Sequence, residues 1–104
     1  MTDRRKSART PFTELAAEIG DRLKAFREAK GMSQTDFGRR IAASPQRLNN
    51  WETGDSVIPS VFVVRLLREY QLDPLYLLGG DDTRLPGDIR DFLRKRGRAN
   101  KDGQ

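Results

Sequence analysis

The chain has 104 residues, is 36% hydrophobic, 34% charged and 8% aromatic, and carries 20 Lys and Arg against 15 Asp and Glu for a net charge of +5. One domain of that size removes only about 60 to 70% of its extended surface from water, which excludes a second enzyme-sized domain. Without Cys or His the chain has no disulfides, thiolate zinc sites or imidazole bases, so neither a cofactor nor enzymatic activity is expected.

In chain order, residues 1–10 hold a charge of +3 and almost no apolar side chain, and are expected to form a flexible basic arm. Arg4, Arg5, Lys6 and Arg9 can follow phosphates or enter a minor groove, or simply keep the chain in solution. These charges lack the apolar stretch of a secretory signal, and no window approaches the ~18 apolar residues of a membrane span, so a cytoplasmic protein with no membrane partner is expected.

Thr10 followed by Pro11 signals a helix start, and Phe12, Leu15, Ala16, Ile19, Leu23 and Phe26 recur at helical steps as far as Gly31. Gly20 interrupts this first helix at a cost of up to about 1 kcal/mol, so the helix could equally begin near Asp21. Ser33 with Asp36 approximates a capping box for a second helix from Gln34 to Ala42, with Phe37, Ile41 and Ala42 on one face. Ser44-Pro45 starts a third over about 45–53, anchored by Leu48 and Trp51 and stopped by Gly54. The short connection between the two makes them cross steeply, as a helix-turn-helix.

Ser60 caps a fourth helix through Tyr70. Val61 to Val64 favour a strand by propensity, but a lone strand has no sheet to join here. Seven apolar residues among ten (Val61, Phe62, Val63, Val64, Leu66, Leu67 and Tyr70) exceed one buried stripe, so a second face should meet another element or chain. Asp73-Pro74 caps a short fifth helix, Leu75 to Leu78, closed by Gly79 and Gly80. Residues 11–80 carry no net charge and 81–104 carry +2. That extension holds a possible sixth helix over 86–96, with Leu85, Ile89, Phe92 and Leu93 on one side. Arg98 to Gln104, beyond Gly97, is expected to lack structure.

Gly31-Met32-Ser33-Gln34, then Phe37 and Ile41, then Ser44-Pro45-Gln46-Arg47-Leu48-Asn49-Asn50-Trp51-Glu52-Thr53-Gly54, then Pro59-Ser60, resemble the Cro and phage-repressor (XRE-type) family of helix-turn-helix DNA-binding proteins. The resemblance covers roughly residues 18–79. It rests most on the Ser-Gln opening of the second helix and the Trp-Glu-x-Gly close of the third. It implies an all-α five-helix bundle of the lambda-repressor-like type, with the third helix in the major groove. Pro45 stands where the family often has a polar reader, and the loop from Gly54 to Pro59 is a residue longer than the short form.

Leu48 and Trp51 at i and i+3 turn Gln46, Arg47, Asn49 and Asn50 towards solvent, and amides and guanidinium match base-edge donors and acceptors. By resemblance, Gln46 and Asn50 are the leading base readers, Arg47 reads guanine or grips a phosphate, and Asn49 is a lesser candidate. Gln34, at a helix N-terminus beside Ser33, is expected on the phosphate backbone, and Thr53 matches a family phosphate position. Trp51 belongs to the core. A carboxylate near phosphates needs another role, and the resemblance implies that Glu52 pairs with Arg27 to support the third helix.

These residues point to a sequence-specific regulator of double-stranded DNA, a repressor acting as a homodimer, nucleoid-associated when bound. One helix reads only a few base pairs, so two copies about 34 Å apart are the usual route to specificity. The fourth and fifth helices and the tail's Ile89, Phe92 and Leu93 are the candidate interface, unless the tail folds back on its own domain. The rival reading is an antitoxin-like or adaptor module that holds a protein partner with residues 81–104. Asp81, Asp82 and Asp88 raise a carboxylate-metal nuclease, but beside Gly and Arg they read as loop solvation and a helix start, so no metal is expected.

Overall fold

The Thr10 hydroxyl accepts from the Thr13 N–H, and the Thr13 hydroxyl accepts from the Thr10 N–H, closing a capping box in front of Pro11. From this cap the computed structural model runs α1 (Pro11–Ala29), α2 (Gln34–Arg39), α3 (Pro45–Thr53), α4 (Ser60–Tyr70), α5 (Pro74–Gly79) and α6 (Gly87–Asp102). It describes the backbone of residues 10–102 and the side chains of residues 10–98, with no strand among them. Residues 1–9 of the expected basic arm, with Arg4, Arg5, Lys6 and Arg9, lie outside the described residues, as do Gly103 and Gln104, while Thr10 belongs to the cap of α1. No described helix is long and apolar enough to cross a membrane.

α1 is continuous through Gly20, and packing explains the glycine. A methyl group there would overlap the Trp51 carbonyl oxygen and lie 2.7 Å from that of Glu52, so the missing side chain lets α1 rest on the backbone of α3. Burial begins only at Ala16; Phe12 and Leu15, expected on the apolar face, are exposed because the first turn of α1 projects past the core.

The core gathers Leu23 and Phe26 of α1, Phe37, Ile41, Leu48 and Trp51 around the helix-turn-helix, and Phe62, Leu66 and Tyr70 of α4. Phe37 stacks on Tyr70 with centroids 4.3 Å apart, and the Tyr70 hydroxyl donates to the Phe37 carbonyl at 2.8 Å. The buried hydroxyl is thereby satisfied.

α2 ends three residues before the expected Ala42. Ala42 takes a left-handed conformation (φ 60°), and the N–H groups of Ala42 and Ala43 close on the carbonyls of Arg39 and Gly38. This is a Schellman stop, built on alanine rather than the usual glycine. The valine run of α4 is helical because Phe62, Val63, Leu66 and Tyr70 all reach the core from one face. Its outer row, Val61, Val64 and Leu67, is exposed together with Leu75 and Leu78 of α5.

The sixth helix begins at Gly87 and continues to Asp102, longer than 86–96, and residues 98–102, expected to lack structure, are helical. One interior glycine costs only about 1 kcal/mol, so Gly97 does not stop it, and the anchoring of Arg96 to α1 lies one residue before it. Leu85 is buried and Ile89 and Leu93 pack against the core, so α6 folds back on its own domain. Arg96 reaches Glu28 at 2.9 Å and Asp21 at 3.6 Å, both on α1, and Arg94 holds Asp82 through two hydrogen bonds of 2.9 and 3.0 Å.

Candidate nucleic-acid interface

α3 is oriented before any ligand arrives. The Ser44 hydroxyl accepts from the Arg47 N–H at 3.2 Å, Pro45 occupies the first helical position, and Gly54 closes the helix at φ 83°. That glycine is required twice: for its left-handed backbone, and because a methyl group there would lie 2.9 Å from the Ala17 Cα. Leu48, Trp51 and Glu52 face inward and are buried. Pro45, Gln46, Arg47, Asn49 and Thr53 are exposed, while Asn50, expected fully in solvent, is half-buried because it sits where the chain turns back along α3 and its carbonyl accepts from the Ser56 N–H.

Behind this face lies a polar network spanning three helices. Arg27 of α1 forks onto Glu52, Nε to Oε2 at 2.7 Å and Nη2 to Oε1 at 3.1 Å, and its Nη1 donates to the Met32 carbonyl at 2.8 Å. Gln34 Nε2 adds a bond to Glu52 Oε1 at 3.0 Å and another to Asn49 Oδ1 at 3.1 Å. The Glu52 side chain is 2% exposed and that of Arg27 12%. A carboxylate so buried is tolerable only when paired and hydrogen-bonded, and three donors meet that condition. The network fixes the N-terminus of α2 relative to α3, so Gln34 and Asn49 meet on one rim.

The other expected contact residues fall into two groups. Ser33 caps α2 by accepting from the Asp36 N–H at 3.1 Å, and Thr53 donates its hydroxyl to the Asn50 carbonyl at 3.2 Å, so both hydroxyls already serve helix ends. Gln46 has no such tie among the described residues and projects from the first turn of α3. Arg47 is drawn sideways, its guanidinium 5.3 Å from the Trp51 ring centre and 4.7 Å from that of Phe62, leaving its edge exposed while its face rests on aromatic surface. Arg65 of α4, absent from the expected contact residues, has its Cζ 5.0 Å from the same Phe62 ring centre. A lone arginine three residues after Phe62 in an apolar run was the available signal.

A family model described as a helix-turn-helix domain matches residues 18–75, more than half of the chain. Among curated proteins, the HTH-type transcriptional regulator RamB, in two strains of Mycobacterium tuberculosis, is 26% identical over 78 residues. The match covers 75% of this chain and 16% of RamB, so the chain spans a small part of that relative's length. No solved structure matches the chain.

Proposed function

Because the chain belongs to the helix-turn-helix domain family of the XRE type, we propose that it is a sequence-specific double-stranded DNA-binding transcriptional regulator. In this reading it acts as a repressor, and two copies read a two-fold operator with α3 in the major groove. The observation that carries it is the polarity of α3: Leu48, Trp51 and Glu52 are buried while Gln46, Arg47 and Asn49 stay exposed beside half-buried Asn50. Gln46 and Asn50 present amides suited to base edges, and Arg47 and Asn49 flank them. Ser33 and Gln34 border the face at the N-terminus of α2, where a phosphate oxygen meets backbone donors, and the Thr53 hydroxyl borders it at the C-terminal end of α3. Arg27, Glu52 and Trp51 keep the face in place.

The few base pairs one α3 can span and the exposed row on α4 and α5 support the homodimer reading. The adaptor reading is weakened by α6, whose Ile89 and Leu93 pack on this same chain and leave Phe92 as its exposed apolar residue.

Selection of binding sites from random duplexes tests DNA binding, half-site symmetry and spacing together. With the selected duplex, Gln46→Ala and Asn50→Ala should each cost about 1 to 3 kcal/mol and relax preference at one base position. Gln34→Ala should weaken all sequences alike. Equal losses on specific and random duplexes for every variant would remove α3 as the reader.

A further inference from the structure

One guanidinium, that of Arg65, breaks the apolar run 61–67 of α4, and two contacts hold it. Arg65 Nη1 donates to the Ile41 carbonyl at 3.1 Å, in the turn between α2 and α3, and its Cζ lies 5.0 Å from the Phe62 ring centre. Arg47 of α3 approaches the same ring at 4.7 Å, so the two cations lie within about 10 Å of each other. That is no more than about a Debye length at 0.1 M salt, and neither has a carboxylate in salt-bridge range among the described residues.

Arg65 also lines a cleft of about 250 Å³ with Arg40, Ile41, Ala42, Arg68 and Glu69. Three guanidinium groups thus face one carboxylate. The Arg40–Glu69 pair is long, 3.9 Å, and both side chains are well exposed, so it gives way readily to a stronger acceptor. The volume falls below the roughly 300 to 1,000 Å³ of ordinary small-molecule pockets, but accommodates one tetrahedral anion. Arginine forks match phosphoryl oxygens, and the bond to Ile41 occupies only one of the five donors of Arg65.

We propose that the cleft between the α2–α3 turn and α4 is a phosphate seat, in which Arg65 and Arg68, joined by Arg40, hold a phosphoryl group. The group comes from the backbone of the duplex that α3 reads, or from a free phosphate-bearing molecule. Only the first source rests on the DNA-binding reading. Phe62 joins the two surfaces: Arg47, near its ring, belongs to the reading face, and Arg65, near the same ring, extends the positive surface from α3 onto α4.

The test uses the full chain, Arg65→Gln/Arg68→Gln, and Lys24→Gln as a single-charge control at an exposed position of α1. Binding to a random-sequence duplex is measured across salt concentrations, and inorganic phosphate is titrated separately while amide shifts of residues 41, 42, 65 and 68 are followed. A DNA phosphate in the seat lowers the slope of log affinity against log salt by about 1 to 2 in the double variant, alike for all sequences, with Lys24→Gln unchanged. An unchanged slope, with phosphate-induced shifts present in the wild type and lost in the variant, supports the seat and assigns it to a free ligand. Unchanged slope together with absent or unaltered phosphate shifts overturns the proposal. If the wild type binds no duplex, the regulator reading fails while the phosphate titration still decides the cleft. Should the double variant lose its helical circular dichroism, Arg40→Gln/Arg68→Gln, at exposed positions, carries the same readouts.

Discussion

At the scale of single residues, Glu52 shows how a charge can serve a DNA-facing helix without meeting DNA. Its carboxylate points inward, takes both arms of the Arg27 fork and the Gln34 amide, and is withdrawn from the surface where phosphates would repel it. Removing one partner leaves the other buried and uncompensated. Glu52→Ala should therefore cost about 3 to 5 kcal/mol in urea unfolding, whereas Arg27→Met/Glu52→Met, an apolar pair of similar bulk, should cost less than that single change. A loss below about 1 kcal/mol for Glu52→Ala would mean the network is dispensable. The pairing was legible only through resemblance, since nothing in the spacing of Arg27 and Glu52 says that two helices will bring them together. The bond from Gln34 to Asn49 was not legible at all, because it depends on the crossing of α2 and α3.

Among elements, the decisive contact is backbone on backbone. Gly20 weakens α1 as an isolated helix and is read that way from sequence, yet it is the point where α1 touches the carbonyls of Trp51 and Glu52. Gly20→Ala should gain about 1 kcal/mol of helix propensity and lose more to displacement of α3, for a net destabilisation on the order of 2 kcal/mol. For a domain of this size that is a drop of roughly 10 °C in melting temperature. A rise in melting temperature would show that α1 and α3 can separate slightly at no cost. Gly38 repeats the device inside the helix-turn-helix, its α-carbon facing the Ala43 carbonyl where a methyl group would sit 2.6 Å away. Most caps, by contrast, were readable residue by residue: Thr10, Ser33, Ser44 and Asp73 each accept a backbone N–H at the start of the helix they were assigned to, whereas Ser60, expected to cap α4, is its first residue behind Pro59 and makes no capping bond.

On the scale of the whole molecule, charges fasten α6 and its lead-in to the bundle, and stability should respond to pH on both sides. The hydrogen bond from Arg94 holds the Asp82 carboxyl below its ordinary range, and the Thr83 hydroxyl and N–H do the same for Asp81. A carboxylate depressed in the fold stabilises it above the unfolded value, near pH 4, and that contribution is lost as pH falls through the folded value. Tyr76 behaves oppositely: burial pushes its phenol up to about 12. Its neutral form suits the fold, so stability is intact below about pH 10, where the unfolded phenol ionises, and declines from there to about pH 12 by roughly 2 to 3 kcal/mol. Thermal melts across pH should fall at both ends, and Tyr76→Phe should flatten the alkaline side. Burial also raises the Tyr70 phenol, so a residual alkaline decline should survive that substitution.

By itself the sequence determined the order of the helices, all of their caps but that of α4, most of the inward stripes and the polar outer face of α3. These follow from local chemistry and from a periodicity that any window of the chain displays. Tertiary structure alone decided where α2 stops, that Gly20 is a contact rather than a flaw, that α6 lies against α1, and that Arg47 and Arg65 share one ring. Each of those depends on which atoms far apart along the chain come within a few ångströms, a property of the packed arrangement that no local pattern encodes.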